Sequence, residues 1–421
     1  MKKQIPLLQI TSKIGSGATP HGGSNVYLKK GISFIRSQNV QDMHFSENGL
    51  VFLNQEQAKN LNGVSVKSGD ILLNITGDSI ARSCIVPDEI LPARVNQHVA
   101  IIRCKNKQDA EYIGYYIQYL KPHLLQICKV GGTRNALTKD VISKLNVHLL
   151  DDRCKRATIL TSINKKIELN NRINAELEAM AKTLYDYWFV QFDFPDEKGR
   201  PYKSSGGKMV YNKVLKRKIP EGWGVNSLDD WIQMERGVTY AKKDICEIKS
   251  KGASGILRAT NVTGNIIDID DMVYISKEKI QSRQKLHKYD TLMVMSSGSK
   301  EHVGKNGLFY FDVPQCFGAF CSKIASKNNN YHFFITLILQ SSSFKSYIKS
   351  QCLGTNINNL TNELIYRYNV VQPDSKILQK FEKSVQKFYE QTALNFQENQ
   401  KLTELRDWLL PMLMNGQVKV G

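Results

Sequence analysis

Two short polar segments carry the side chains best suited to hydrogen bonding with a nucleic acid. They are GGTRNALT at 131–138 and LGTNINNLT at 353–361, and both combine glycines with amide and hydroxyl groups. Arginine can pair with guanine and asparagine with adenine through two hydrogen bonds, and glycine lets a backbone approach a phosphate. A structural turn is an equally good interpretation of both segments. The candidate contacts are Gly132, Thr133, Arg134, Asn135, Thr355, Asn356 and Asn358.

Catalytic and metal-binding patterns are weak in comparison. The chain has no G-x-x-x-x-G-K-[ST] phosphate loop and no N-P-P-Y or D-P-P-F stretch of an amino-methyltransferase. KIGSGATP (13–20) is a poor cofactor loop, and DICEIK (244–249) is only a short match to a nuclease strand. The eight cysteines form no C-x-x-C pair, which predicts neither disulfides nor structural zinc. We therefore expect a binding protein whose partners perform the chemistry, with an enzyme of unrecognised site as the alternative.

The positive charge is shared between the two halves of the chain. Residues 1–200 hold 27 Lys and Arg against 19 Asp and Glu, and the remainder holds 31 against 20, giving +8 and +11 of the total +19. Two basic surfaces favour a polyanionic partner, and DNA or RNA is the first choice. The alternative is that the protein is simply basic and binds no polyanion. The candidates for further contacts are Arg36, Asn39, Arg82, Arg94, Arg258, Asn261, Lys300 and Lys305.

The sequence also indicates where the protein resides. No apolar run approaches the roughly 18 residues that span a membrane, and the longest, FFITLIL (333–339), predicts a buried helix. The start, MKKQIPLLQITSK, lacks the sustained apolar core of a signal peptide. We expect a cytoplasmic protein with no membrane partner and with two or three domains.

An internal repeat dominates the sequence. Matching residues recur in the same order, 220 to 223 positions apart, and chance similarity does not keep such order. The matched pairs are Leu8/Leu228, Gly17/Gly237, Thr19/Thr239, Arg36/Arg258, Asn39/Asn261, Val40/Val262, Asp70/Asp290, Leu72/Leu292, Gly132/Gly354, Thr133/Thr355, Leu137/Leu360 and Thr138/Thr361.

Each half joins a strand-rich part to a long helix. The first part holds short β-type runs such as GILRATNV and HVAIIRC, followed by helices such as DAEYIGYYIQYL (109–120), which predicts an α+β domain. In the second part, residues expected on one face of a helix recur in steps of three and four positions. In one copy they are Ile163, Lys166, Asn170, Ile173, Leu177, Met180, Leu184 and Tyr187. In the other copy they are Leu378, Phe381, Val385, Phe388, Thr392, Asn395, Asn399, Leu402, Leu405, Leu409 and Met412.

Stripes of over 30 residues favour pairing of the two helices over packing of each helix on its own domain. The polar positions Asn170, Asn395 and Asn399 would fix the register of the pair. A repeated domain-plus-helix predicts pseudo-twofold symmetry and an antiparallel coiled coil that separates two domains. A helix of about 36 residues spans roughly 54 Å, on the order of 16 base pairs.

These pieces resemble the specificity (S) subunits of type I restriction–modification enzymes over essentially the whole chain. The similar segments are SGDILLNITG (68–77), VNQHVAIIR (95–103), IPEGWGVNSLDD (219–230), AELEAMAKTLYDYWFVQFDFP (175–195) and LTELRDWLLPMLMNGQV (402–418). Two departures are that the first half lacks a P-x-G-W opening and that the second has SSGSKEHVGK (296–305) but no V-N-Q-H.

The resemblance implies a domain plan and a function. It implies target recognition domains at 1–152 and 221–372, a central long helix at 153–190, a linker at 191–220, a distal long helix at 373–413 and a tail at 414–421. It further implies a non-catalytic subunit that binds a bipartite, asymmetric sequence in double-stranded DNA. Two methyltransferase subunits and restriction/translocase subunits would assemble on it and would bind S-adenosylmethionine, ATP and Mg²⁺. A stand-alone DNA-binding protein is the alternative.

The aromatic run AMAKTLYDYWFVQFDFP (179–195) is unusual for the middle of a soluble chain. Aromatic anchors are enriched at protein interfaces, so we expect it to contact partner subunits together with its counterpart DWLLPMLM. Packing inside the chain is the competing interpretation. The expected interface residues are Tyr185, Tyr187, Trp188, Phe189, Phe192, Trp408, Leu409 and Met412.

Overall fold

A computed structural model describes residues 3–130, 136–247, 252–298, 301–328, 331–351 and 359–420. The chain forms two units, the first made of Met1–Leu169 with Glu398–Gly421 and the second of Asn170–Gln397. Both unit boundaries fall inside long helices, so each of these helices contributes to both units. The domain boundaries expected from the sequence lie instead close to the ends of helices and strands.

The first unit contains two four-stranded sheets, with strand orders β2-β9-β6-β7 and β4-β3-β8-β5, and a two-stranded pair β1-β10. Its strands are β1 (Lys3–Pro6), β2 (Thr11–Ser16), β3 (Ile32–Ile35), β4 (Val51–Leu53), β5 (Ser65–Val66), β6 (Ile71–Asn74), β7 (Ser83–Ile85), β8 (Ala93–Val95), β9 (Val99–Cys104) and β10 (Asn146–Leu149). Its helices are α1 (Leu7–Ile10), α2 (Gln55–Asn60), α3 (Ala110–Tyr119), α4 (Lys121–Val130) and α5 (Lys139–Ser143), followed by the start of α6 (Arg153–Tyr185).

The second unit contains a six-stranded sheet of order β14-β24-β21-β22-β18-β17, a five-stranded sheet of order β15-β19-β16-β23-β20, and the pairs β11-β12 and β13-β25. The first eight strands are β11 (Met209–Asn212), β12 (Arg217–Pro220), β13 (Gly224–Ser227), β14 (Ile232–Arg236), β15 (Ile245–Cys246), β16 (Ala253–Leu257), β17 (Val262–Thr263) and β18 (Ile266–Ile267). The others are β19 (Val273–Ser276), β20 (Lys285–Leu286), β21 (Thr291–Val294), β22 (Asn306–Leu308), β23 (Gln315–Phe317), β24 (Cys321–Ser326) and β25 (Asn369–Gln372). The helices are α7 (His332–Gln340), α8 (Ser342–Gln351), α9 (Asn362–Tyr366) and α10 (Ser375–Met414).

The central strands are apolar on both faces because each face packs into a different core. In β6, Ile71 and Leu73 belong to the core beneath α3, whereas Leu72 points into the core between the two sheets. In β21, Met293 and Leu292 divide in the same way between two cores of the second unit. Successive side chains of a strand point to opposite faces, so a strand buried on both faces is apolar at every position. This explains the continuous apolar runs of the sequence. The fold is α+β.

Matched residues of the repeat make the same contacts in their own units. Asp70 accepts a hydrogen bond from the backbone N–H of Lys67 at 2.7 Å, and Asp290 accepts one from His287 at 2.7 Å. Thr138 caps α5 and Thr361 caps α9, each through its side-chain oxygen. The Asp70 carboxylate also pairs with Arg103.

The long helices bury one stripe of side chains. In α10 the predicted stripe is largely correct, since Leu378, Phe381, Val385, Thr392, Asn395 and Asn399 are buried, although Leu405 is exposed. In α6 the stripe matches at Ile163 and Asn170, but Lys166 and Met180 are exposed, as is Tyr187 in the π-helical turn Asp186–Val190 that follows. The buried side instead runs one residue further along, through Asn174 and Ala181 of α6 and Trp188 of that turn.

The helices of the described residues include none that is long and apolar enough to cross a membrane. The described part of the chain also shows no group of three or more His, Cys, Asp and Glu side chains that could hold a metal ion.

Candidate nucleic-acid interface

Three loops of the first unit converge at one end of its sheets. We call residues 17–19, 75–77 and 96–98 the first loop cluster. Backbone hydrogen bonds hold it together, from Gly17 N–H to Val99 O at 2.9 Å, from Ala18 N–H to Val95 O at 3.1 Å and from Ile75 N–H to His98 O at 3.0 Å. The loops are therefore fixed by the sheet rather than free to rearrange.

The first loop cluster presents a network of polar side chains. The Thr19 hydroxyl donates to Oε1 of Gln97 at 3.1 Å, and both side chains are exposed. The Thr76 hydroxyl lies 2.6 Å from Nδ1 of the half-buried His98. Amide, hydroxyl and imidazole groups in a partly exposed arrangement suit hydrogen bonding to base edges and phosphates.

The second unit holds an equivalent arrangement. We call residues 237–239, 295–297 and 318–320 the second loop cluster. Its backbone bonds run from Gly237 N–H to Cys321 O at 3.2 Å, from Val238 N–H to Phe317 O at 2.7 Å and from Met295 N–H to Phe320 O at 2.8 Å. These bonds join the counterparts of the residues that hold the first loop cluster.

Gly17 and Gly237 occupy the tightest positions of the two clusters. A Cβ atom on Gly17 would lie 2.2 Å from Val95 O, and one on Gly237 would lie 2.3 Å from Gly318 O. Because the obstacles are backbone carbonyls, no larger residue fits there without moving a strand. The shared glycine of the repeat therefore reflects the close approach of two chain segments.

Ala136 and Asn359, the first described residues of the two polar segments, lie at these clusters. Ala136 forms a bridge with Thr76, and Asn359 forms the equivalent bridge with Ser296. The predicted contacts Gly132, Thr133, Arg134, Asn135, Thr355, Asn356 and Asn358 lie outside the described residues, as does Lys300.

Asn39 and Asn261 have structural roles, contrary to the expected DNA contacts. Both side chains are at most 3% exposed. Asn39 accepts from the Arg36 backbone N–H and donates to two carbonyl oxygens, and Asn261 does the same with Arg258 as its donor. Because each amide is fully used in holding a loop, we do not retain either residue as a DNA contact.

Arg94 is also used internally. It is 9% exposed and its guanidinium donates to Ala58 O, Ala93 O and the Asn62 side chain. Burial lowers its pKa. Because the side chain is nearly buried and all three of its nitrogens donate to protein oxygens, Arg94 is corrected to a structural residue.

The remaining basic candidates are partly exposed. Arg36 and Arg258 follow Ile35 and Leu257, whose carbonyls accept from residues of the two loop clusters. Arg36 donates to Gly49 O, whereas Arg258 pairs with Asp271 at 2.8 Å. Both arginines therefore lie beside the clusters and stay candidates for phosphate contacts.

Arg82 and Lys305 occupy equivalent positions, since their carbonyls accept from Asn74 and Val294 N–H at 2.8 Å. Arg82 donates to Gln41 at 2.7 Å. Lys305 lines a cleft of about 570 Å³ in the second unit, with Lys345 and Lys349 among the other lining residues. Both residues stay predictions as DNA contacts.

Most of the aromatic run packs inside the second unit. Tyr185, Trp188, Phe189 and Phe192 are at most 8% exposed, so their predicted role at a partner interface is wrong in this structure. The Phe189 ring lies 4.8 Å from Phe381 and 4.8 Å from Phe334, centroid to centroid. The buried side of this segment is part of the core of the unit, where it packs on α7 and α10.

Exposed aromatics remain at matching places near the two helix ends. Tyr187 is 36% exposed and Trp408 is 59% exposed. Each follows an aspartate, Asp186 or Asp407, at the same point of the repeated L-x-D motif. Leu409 and Met412 are half-buried beside Trp408. These four residues remain candidates for a partner surface.

The long helices contact one another within each unit. In the first unit Arg156 donates to Leu413 O at 2.7 Å and Arg406 donates to Asn164 at 3.2 Å, so the helices run in opposite directions there. In the second unit Asn395 donates to Asn174 at 2.8 Å.

Several residues of the clusters were not predicted as contacts from the sequence. They include Thr19, Thr76, Gln97, His98 and Phe320. For the last three the available signal was the V-N-Q-H run, which ends at His98 and which the second half replaces with Phe317–Phe320.

A sequence model described as "Type I restriction modification DNA specificity domain" matches residues 12–179 and 220–404. The EcoKI specificity subunit of Escherichia coli K12 is 32% identical over 143 residues, which cover 34% of this chain and 31% of that protein. The match therefore spans about a third of the length of that relative. The MjaIX specificity subunit of Methanocaldococcus jannaschii is 25% identical over 336 residues, covering 78% of this chain and 74% of that protein.

Among solved structures, the S subunit of a type I restriction–modification system from M. genitalium shares the fold. It has a TM-score of 0.54 at 12% sequence identity and covers 100% of this chain and 96% of its own. Because the family model matches most of both halves, the chain belongs to the family of type I restriction–modification DNA specificity proteins.

Proposed function

We propose that this chain is the DNA sequence-specificity subunit of a type I restriction–modification enzyme and binds a bipartite, asymmetric target. The observation that carries the proposal is the pair of equivalent loop clusters, one in each unit, on a chain with a net charge of +19. Each cluster would read one half-site. Arg36, Arg258, Arg82 and Lys305 would hold the phosphates beside them.

The chain itself would be non-catalytic and would act in the cytoplasm. Two methyltransferase subunits would dock on it, and restriction/translocase subunits would join the assembly. S-adenosylmethionine, ATP and Mg²⁺ would be bound by those partners. We place the docking surface at the exposed Trp408 with Leu409 and Met412, and at its counterpart Tyr187, because solvent-exposed aromatics of this size are preferred anchors.

We further propose that α6 and α10 form an antiparallel coiled coil related by a pseudo-twofold axis. Its support is the opposite direction of the helices in the first unit and the Asn174–Asn395 contact in the second. In this arrangement the helix pair would set the spacing between the half-sites, because paired helices resist bending better than a linker.

The experiment uses the full chain with and without a methyltransferase subunit of the same type I system. The chain alone, incubated with S-adenosylmethionine, Mg²⁺ and duplex DNA, should neither methylate nor cut. The mixture should methylate one two-part sequence, identified by sequencing the modified positions. Turnover by the chain alone would show it to be an enzyme, and target binding without assembly would show it to be a stand-alone DNA-binding protein.

A further inference from the structure

Phe320 is a large apolar side chain held out at the second loop cluster. It is 67% exposed. Its backbone is rigidly placed, because Phe320 O accepts from Met295 N–H at 2.8 Å and from Ser296 N–H at 3.2 Å. The preceding Ala319 donates to Val238 O at 3.0 Å. The loop cannot fold back to bury the ring without breaking these bonds.

The equivalent position in the first unit is polar. Ile75 N–H donates to His98 O as Met295 N–H donates to Phe320 O, so Phe320 stands where His98 stands. His98 contacts Thr76 and Gln97 through its ring nitrogens. The same scaffold thus presents hydrogen-bonding groups in one unit and a hydrocarbon ring in the other.

A cation lies beside the loop that carries the ring. The exposed Arg236 donates from Nε to Ala319 O at 3.2 Å, which fixes its side chain beside the loop that carries Phe320. An apolar group on a loop that also holds a guanidinium suits a base edge beside a phosphate. In the major groove the thymine C5-methyl group is the apolar feature of a base pair, and phenylalanine is among the side chains that contact it.

We propose that Phe320 determines specificity by packing on the C5-methyl group of a thymine in the half-site read by the second unit. The first unit uses hydrogen bonds from Gln97 and His98 at the matching place. The two clusters therefore share a backbone arrangement but contact DNA differently, one through hydrogen bonds and the other through an apolar ring. This inference rests on the proposed function, since it requires that the second loop cluster meets DNA.

The test replaces single thymines by deoxyuridine, which keeps every hydrogen bond and removes only the methyl group. The full chain is assembled with its methyltransferase subunit, and its target is mapped from the methylated positions. Binding is then measured to duplexes in which each thymine of the target is exchanged in turn. Wild type, Phe320→Ala and Val313→Ala are compared, because Val313 is equally exposed at 68% but lies outside the cluster.

The wild-type complex should lose about four-fold in affinity at one thymine, the amount expected for one buried methyl group. Phe320→Ala should bind the thymine duplex several-fold more weakly and should show no further loss with deoxyuridine. Val313→Ala should behave as wild type on both duplexes.

Other results overturn the inference. If Phe320→Ala weakens binding equally on both duplexes at every position, the ring acts as a wedge or through stability and not on a methyl group. The inference also fails if the half-site contains no thymine, or if Phe320→Ala binds as tightly as wild type. A wild-type complex that binds and methylates no defined sequence would instead contradict the proposed function, so the two failures are distinguishable.

Discussion

Asn395 donates a hydrogen bond from Nδ2 to Oδ1 of Asn174 at 2.8 Å, and both side chains are at most 7% exposed. The two residues are 221 positions apart, inside the 220-to-223 offset that separates matched residues of the repeat. The bond therefore joins a residue to its own counterpart. A twofold axis brings equivalent residues together in this way, which supports the proposed pseudo-symmetry of the helix pair.

Removing one partner of this pair should destabilise the second unit. Asn395→Leu leaves the buried Asn174 oxygen without its donor, which costs about 1–3 kcal/mol. The double variant Asn174→Leu/Asn395→Leu should recover this loss, because two apolar side chains can pack without an unpaired amide. Urea unfolding followed by tryptophan fluorescence measures this, since Trp188, Trp223 and Trp231 lie in the second unit. Equal stability of the single variant and wild type would show that the bond contributes nothing.

The aromatic run and the exposed Trp408 should respond differently to truncation. Trp188→Ala with Phe189→Ala should unfold the second unit, because truncating buried aromatics costs about 3–5 kcal/mol each. Trp408→Ala should keep the fold but weaken assembly with the methyltransferase subunit by about 2 kcal/mol. Leu394→Ala is the control, since Leu394 lies on the same helix with the same 59% exposure.

Urea unfolding and size-exclusion of the mixed subunits separate the two effects. A folded Trp188→Ala/Phe189→Ala variant that fails only in assembly would restore the interface role of the run. Normal assembly of Trp408→Ala would remove Trp408 from the docking surface.

The sequence predicted the α+β class and most of the buried stripe of α10, since both depend on local spacing. It misplaced the aromatic run because a buried helix end and a protein interface use the same residue types. It placed the stripe of α6 one residue off at Met180 and Tyr187, since apolar side chains lie on both sides of the true seam. Asn39 and Asn261 were predicted as DNA contacts because a side-chain amide can hydrogen-bond equally well to a base and to the backbone of its own loop. Tertiary partners decide between these uses, and spacing does not report them.

Glu382 should make the stability of the second unit depend on pH. It accepts from the Phe334 N–H at 2.7 Å at the start of α7, and burial raises its pKa to about 8 from 4.5. The folded state therefore holds a proton that the unfolded state releases, so this group's contribution falls as pH rises from about 4.5 to 8.

Glu382→Gln stays neutral and its oxygen can still accept the same N–H. Between pH 5.5 and 8, wild type should lose up to a few kcal/mol relative to this variant. Thermal unfolding at both pH values provides the measurement. Parallel pH profiles for the two proteins would mean that Glu382 is ionised in the folded state.

Lengthening both long helices should change the spacing of the half-sites. Four residues inserted after Asn174 and after Asn395 add about 6 Å to each helix and slightly more than one turn, so the seam nearly realigns. At about 3.4 Å per base pair, the unspecified spacer should grow by one or two base pairs while the half-sites keep their sequences. Methylation mapping reads the spacer directly. Activity of the variant on the original spacing would rule out a spacing role for the helices.

The most direct test of the account exchanges one reading unit. Residues 222–372 run from just before β13 to the end of β25, so they can be replaced by the equivalent segment of a relative without cutting a strand pair. The chimera is expressed with the methyltransferase subunit, and its methylated positions are sequenced. We expect one half of the target to change to that of the relative while the other half stays intact. A change in both halves would contradict independent reading by two loop clusters.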